Sequence, residues 1–170
     1  GTVAALNRLQ LLISDYITDN QVLGWPGGLM RQSQEGPGIL RSIAGTDPAA
    51  GAEITETVPT NARWNLLAVT AALVTDLTAA TRTVRFILDD AATTQLVSEA
   101  GAGQAASLTW RYSAAPGFPR YAGAGIDVGI ALPRPVRMFQ GWRFRTVTTN
   151  LQAGDNWGAP QYIVEEWIED

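Results

Sequence analysis

Three glutamates and three tryptophans crowd the segment GWRFRTVTTNLQAGDNWGAPQYIVEEWIED, residues 141–170. Glu165, Glu166 and Glu169 are the residue types of a glycosidase, which needs two carboxyl groups flanking one bond. The spacing argues against it. The segment reads as two strands around a turn, and adjacent strand residues point to opposite faces, so Glu165 and Glu166 cannot meet one substrate. Glu169 would share a face with Glu165 only if the strand ran to the end of the segment. Asp89 and Asp90 form a second acidic pair, at a strand end. Calcium would require several further oxygens there, whereas aspartate at such a place normally bonds its own backbone in a turn. Trp64, Trp110, Trp142 and Trp167 sit in strand-like text and are expected to be core. Trp157 lies in the turn AGDNWGAP, where an indole is seldom deep core: it either folds over the sandwich end or is an anchor for a partner or a sugar.

Composition narrows the chemistry further. The 170 residues contain no histidine and no cysteine, which removes imidazole general bases, thiol nucleophiles, thiolate zinc sites and disulfides. No metal or other cofactor is expected. The net charge of −4 and pI near 4.8 disfavour a nucleic-acid partner, which needs clustered positive charge. All 12 basic residues are arginines, which a GC-rich coding sequence explains; the alternative is selection for a side chain suited to bidentate contacts at protein interfaces. No apolar run reaches the ~18 residues of a membrane span, and residues 3–17 lack the basic start and continuous apolar stretch of a signal peptide. A soluble, cytoplasmically made product with no membrane partner is expected.

The elements that would position these groups fall into three regions. In residues 1–20, Val3, Leu6, Leu9, Ile13, Tyr16 and Ile17 make one helical stripe behind a Thr2 cap. Such a helix is marginal alone and must dock on something. Residues 21–52 are rich in glycine and proline yet carry Trp25, Leu29, Met30, Ile39, Leu40 and Ile43, which an idle linker would not need. They read as an extended arm laid over a surface, either of another chain or of the arm's own domain. From residue 53 to 170 the pattern becomes strands: EITETV, RWNLLAVTAALVT, TRTVRFIL, TTQLVS, AASLTWRYS, IDVGIAL, GWRFRTVTT and APQYIVEEWIE. Within them Val84, Phe86 and Leu88 share a face, as do Ala106, Leu108, Trp110 and Tyr112, and Ile126, Val128, Ile130 and Leu132. Eight antiparallel strands without intervening helices predict an all-β, jelly-roll-like sandwich.

The stretches RWNLLAVTAALVT, QAASLT and RTVTTNLQAGDNWGAPQYIVEEWIE resemble small virion structural proteins of tailed bacteriophages, over roughly residues 53–170. The resemblance implies a non-enzymatic module that decorates or cements the capsid by binding the major capsid protein, with fibre, neck or tail components as the alternative. Its implied location is the virion, after synthesis in the bacterial cytoplasm. Leu6, Leu9, Ile13, Ile17, Trp25, Leu29, Ile39, Leu40 and Trp157 are the expected partner-binding residues. A homo-oligomer, first of all a trimer, is expected to cover the sandwich edges. A glycan-binding module is the reading from another class, and it requires Trp157 and Trp25 to be exposed.

Overall fold

The computed structural model describes residues 38–122, 127–132 and 136–168. Among them are twelve strands and no helix: β1 (Ile39–Ala44), β2 (Thr55–Thr57), β3 (Ala62–Val74), β4 (Thr83–Asp89), β5 (Thr94–Glu99), β6 (Thr109–Pro116), β7 (Tyr121–Ala122), β8 (Asp127–Leu132), β9 (Val136–Met138), β10 (Arg143–Thr149), β11 (Asn156–Trp157) and β12 (Gln161–Ile168). The helix expected over residues 1–20 and most of the arm lie outside the described residues. Every segment read as a strand from sequence overlaps an observed strand, although EITETV yields only the three-residue β2.

Two sheets result. One runs β1-β12-β3-β6-β8-β7, with β9 and β11 also pairing to β3, and the other runs β2-β10-β4-β5. The pairing is nested: β1 with β12, β2 with β10, β3 with β6 and β4 with β5, all antiparallel. The chain therefore behaves as one long folded-back ribbon whose successive pairs fall alternately in the two sheets. The expectation of wholly antiparallel pairing is corrected at one place. β8 lies parallel to β6, with Arg111 opposite Asp127 and Pro116 opposite Leu132. The return that this needs runs back through the short β7, which is antiparallel to β8.

Alternation places the core between the sheets. Val84, Phe86 and Leu88 from β4 and Phe144 from β10 face Tyr112 and Ala114 of β6, Val128, Ile130 and Leu132 of β8, and Tyr162 and Val164 of β12; all are buried. Phe144 meets Phe86 edge-on at 5.0 Å and Tyr162 at 5.5 Å, the arrangement that aromatic quadrupoles favour. The thirteen-residue β3 cannot keep a single phase. Ile163 pairs with Ala68 but Val164 pairs with Leu66, so Leu67 is an extra residue and a β-bulge. The bulge flips the buried set from Trp64 and Leu66 to Val69, Ala71 and Leu73, and lets one strand serve both halves of its sheet.

Part of the region read as an arm belongs to this unit, which begins at Gly38. Ile39–Ala44 is an edge strand, and the stretch after it is tied down at intervals. Gly45 N donates to Pro160 O (2.8 Å), Thr46 N to Glu56 Oε2 (2.9 Å) and Gly51 N to Asp155 O (2.7 Å). Gly51 has φ +74°, and a Cβ there would stand 2.9 Å from the Ala153 backbone, so both conformation and space call for glycine.

Candidate functional site

The charged side chains with the strongest local fields are built into the fold. Arg82 is 0% exposed, and every N–H of its guanidinium has an acceptor. Nε and Nη2 grip Asp155 at 2.9 and 2.8 Å, Nη2 also reaches Asp76 at 2.6 Å, and Nη1 donates to the carbonyls of Thr78 and Ala80, both at 2.8 Å. Asp155 in turn accepts the backbone N–H groups of Asp76 (2.9 Å) and Gln152 (2.8 Å). One buried ion pair thus joins the β3–β4 turn to the β10–β11 turn, with its donors and acceptors satisfied. Burial alone would raise the Asp155 carboxyl, but the Arg82 bonds and charge and the two backbone donors outweigh it and hold the group below its usual range.

At the same end of the sandwich Glu53 does similar work. It accepts Thr146 Oγ1 (2.6 Å), Thr148 Oγ1 (3.1 Å) and Trp157 Nε1 (3.2 Å), together with the Thr148 backbone N–H. Two threonines can therefore occupy inward positions of β10. Gln104, 0% exposed, donates to the Leu73 and Leu108 carbonyls and accepts the Tyr112 hydroxyl at 3.0 Å.

The acidic pair at the end of β4 divides its roles. Asp89 is buried and accepts Arg143 Nε (2.7 Å), Arg145 Nε (2.5 Å) and the Ala91 N–H (2.9 Å). Desolvation opposes its ionisation, yet the two arginines and the backbone bond carry the pKa below the usual value. Asp90 caps the turn instead, accepting from Thr93 N, Ala92 N and Gln95 Nε2. The terminal glutamates separate as strand geometry requires. Glu166 is buried, bonded to Trp64 Nε1 (3.0 Å) and paired with Arg41 (2.8 Å). Glu165 accepts Gly38 N and Asn65 Nδ2 from the other face. Glu169 lies outside the described residues. Among the described residues no three acidic side chains converge as metal ligands would.

The two buried low-pKa aspartates, Asp89 and Asp155, bear on stability. Their folded pKa values lie below the ordinary 3.8, so their contribution is present above that value and is lost as pH falls through the lower folded values. Urea midpoints should be flat from neutral pH to about pH 5 and should drop progressively below about pH 4. Asp155→Asn should flatten part of that drop.

The expected partner-binding residues are dispersed. Leu6, Leu9, Ile13, Ile17, Trp25 and Leu29 lie outside the described residues. Ile39 and Leu40 lie on edge strand β1, 55% and 68% exposed. Trp157 is 0% exposed, against Tyr112 at 5.6 Å. Its turn folds inward because β11 pairs with the end of β3, Trp157 opposite Leu73, and because Glu53 receives the indole N–H. It is a core residue of this unit and offers no free indole. Trp167 is half-buried, as are Trp110 and Trp142, and its ring centroid lies 4.9 Å from the Arg63 guanidinium carbon and 6.0 Å from that of Arg137, within cation–π range. An open groove of about 390 Å³ crosses the outer face of the larger sheet, lined by small and hydroxyl side chains such as Ala68, Thr70, Ser113 and Ser42 with Phe118 and Ile163.

Searches against family models and against curated proteins return no match.

Proposed function

We propose that this is a non-enzymatic bacteriophage virion structural protein, a decoration or cement protein that binds the major capsid protein and reinforces the head. The observation that carries the proposal is the nested pairing of β1 with β12, β2 with β10, β3 with β6 and β4 with β5 across two sheets. We read that order as a jelly roll, an architecture shared by viral capsid proteins, lectins and cupins. Fold alone does not choose among them. The chain has no histidine or cysteine, and its buried carboxylates are occupied by arginine, tryptophan, threonine and backbone donors, as befits a rigid mechanical module. The glycan reading has lost support, because Trp157, one of the two indoles it required, is buried. A fibre, neck or tail position uses the same fold and remains the alternative.

The apolar stripe expected over residues 1–20 supplies the grip in this reading. Replacing Leu6, Leu9 and Ile13 together by serine should leave the β-sheet circular-dichroism signal and the urea midpoint unchanged while removing the chain from purified particles. Mass spectrometry of those particles should find the unaltered chain in many copies. Absence of the unaltered chain from purified particles would refute the proposal.

A further inference from the structure

The sandwich protects its edges unequally. On one side β5 is sealed to β8, where Ser98 Oγ donates to the Ala131 carbonyl at 2.6 Å, and Arg120 covers the next turn by donating to the Ala100 carbonyl at 2.7 Å. β2 and β7 end their sheets with strands of three and two residues, too short to template much pairing. β1 is different. Its six residues, ILRSIA, contain no lysine, proline or bulge, and among the described residues no strand pairs with its outer edge. Its one charge, Arg41, is drawn back to Glu166.

The hydrogen-bond phase of this edge can be read from its end. Gly45 N donates to Pro160 O, which makes 45 and 160 a hydrogen-bonded pair in the β1·β12 register. Alternation then turns the N–H and C=O of Ile39, Arg41 and Ile43 toward β12, and those of Leu40, Ser42 and Ala44 toward the free edge. A second copy of β1, antiparallel about a twofold axis at Ser42, matches this pattern. Ser42 faces Ser42 of the second copy, and Leu40 faces Ala44, each facing pair exchanging two N–H···O bonds. Arg41 falls opposite Ile43, so no like charges meet, and the bulky Leu40 lies beside the small Ala44.

We infer that the protein forms a twofold dimer by antiparallel pairing of β1 with β1 of a second copy, centred on Ser42. An edge strand accepts one neighbour, so this contact closes as a dimer; a threefold assembly would need a different surface. The inference concerns the free protein and stands or falls independently of its place on a particle.

Two variants of the full chain test it. Ser42→Pro removes an N–H that points to the free edge and spares the bonds to β12, a position where an edge strand tolerates proline. Facing Ser42 residues would have Cα atoms about 5.5 Å apart, within the roughly 4.4–6.8 Å that a disulfide spans. Because the natural chain has no cysteine, Ser42→Cys provides one thiol per copy. Expected are a dimer by sedimentation equilibrium for the unaltered chain, a monomer for S42P with unchanged circular dichroism, a covalent dimer on mild oxidation of S42C, and none for Ala44→Cys, whose thiols would lie far apart. A monomeric unaltered chain, a trimer, a persistent S42P dimer, or cross-linking of A44C as readily as S42C would each overturn it.

Discussion

Replacing Arg82 by leucine is expected to lower stability by about 3–5 kcal/mol, because removing one partner of a buried pair strands the other in a poorly solvated site. Asp155, 0% exposed at its side chain, would lose both of its guanidinium bonds, and the Thr78 and Ala80 carbonyls would lose their donors. The β3–β4 turn would also lose its tie to the β10–β11 turn. Asp155→Ala should cost a similar amount from the opposite side, and the two losses should be strongly non-additive in a double-mutant cycle. The exposed pair Arg111–Asp127, 3.7 Å apart with both side chains more than 60% exposed, provides the control. Arg111→Ala should change stability by less than about 1 kcal/mol. Urea unfolding with unchanged slope measures each value.

Trp157→Ala should cost about 3–5 kcal/mol, the range for truncating a large buried aromatic. The loss has two physical parts that a second variant separates. Trp157→Phe retains much of the packing on Tyr112 but takes the indole donor from Glu53, and should cost less, on the order of 1–3 kcal/mol. If Trp157 were an exposed anchor, both variants would leave the urea midpoint unchanged.

Strand positions were legible because threonine, valine and aromatic residues alternate over them and turn residues separate them. Val84, Phe86 and Leu88, and likewise Val128, Ile130 and Leu132, lie inward as their spacing requires. Where the period breaks, sequence is a poor guide. Nothing in RWNLLAVTAALVT announces that Leu67 is an extra residue, because leucine and alanine on both sides satisfy either phase. β1 was hidden by the glycines and prolines around it, and its strand identity comes from β12 rather than from local propensity. The text AGDNWGAP does hold a turn, but Trp157 follows it in the short strand β11, buried because its backbone pairs with a core strand and its indole N–H finds an acceptor. The Arg82 centre could not be foreseen, since its partners Asp76 and Asp155 lie far apart in the chain and meet only through the nested ribbon. What could have been noticed is the presence of aspartate in two turns that must lie at one end of such a ribbon.

Because β1 is part of the sheet, the segment proposed to grip the capsid is residues 1–37, and a chain beginning at Gly38 retains every described strand. Mixing purified chains with heads assembled in the absence of this protein, and sedimenting them, tests the central claim most directly. The full chain is predicted to co-sediment saturably with heads, in a number set by the shell lattice, and the chain beginning at Gly38 to remain in the supernatant while still folded. A full chain that stays in the supernatant with heads, or that sediments only with tails, would contradict the proposed decoration role.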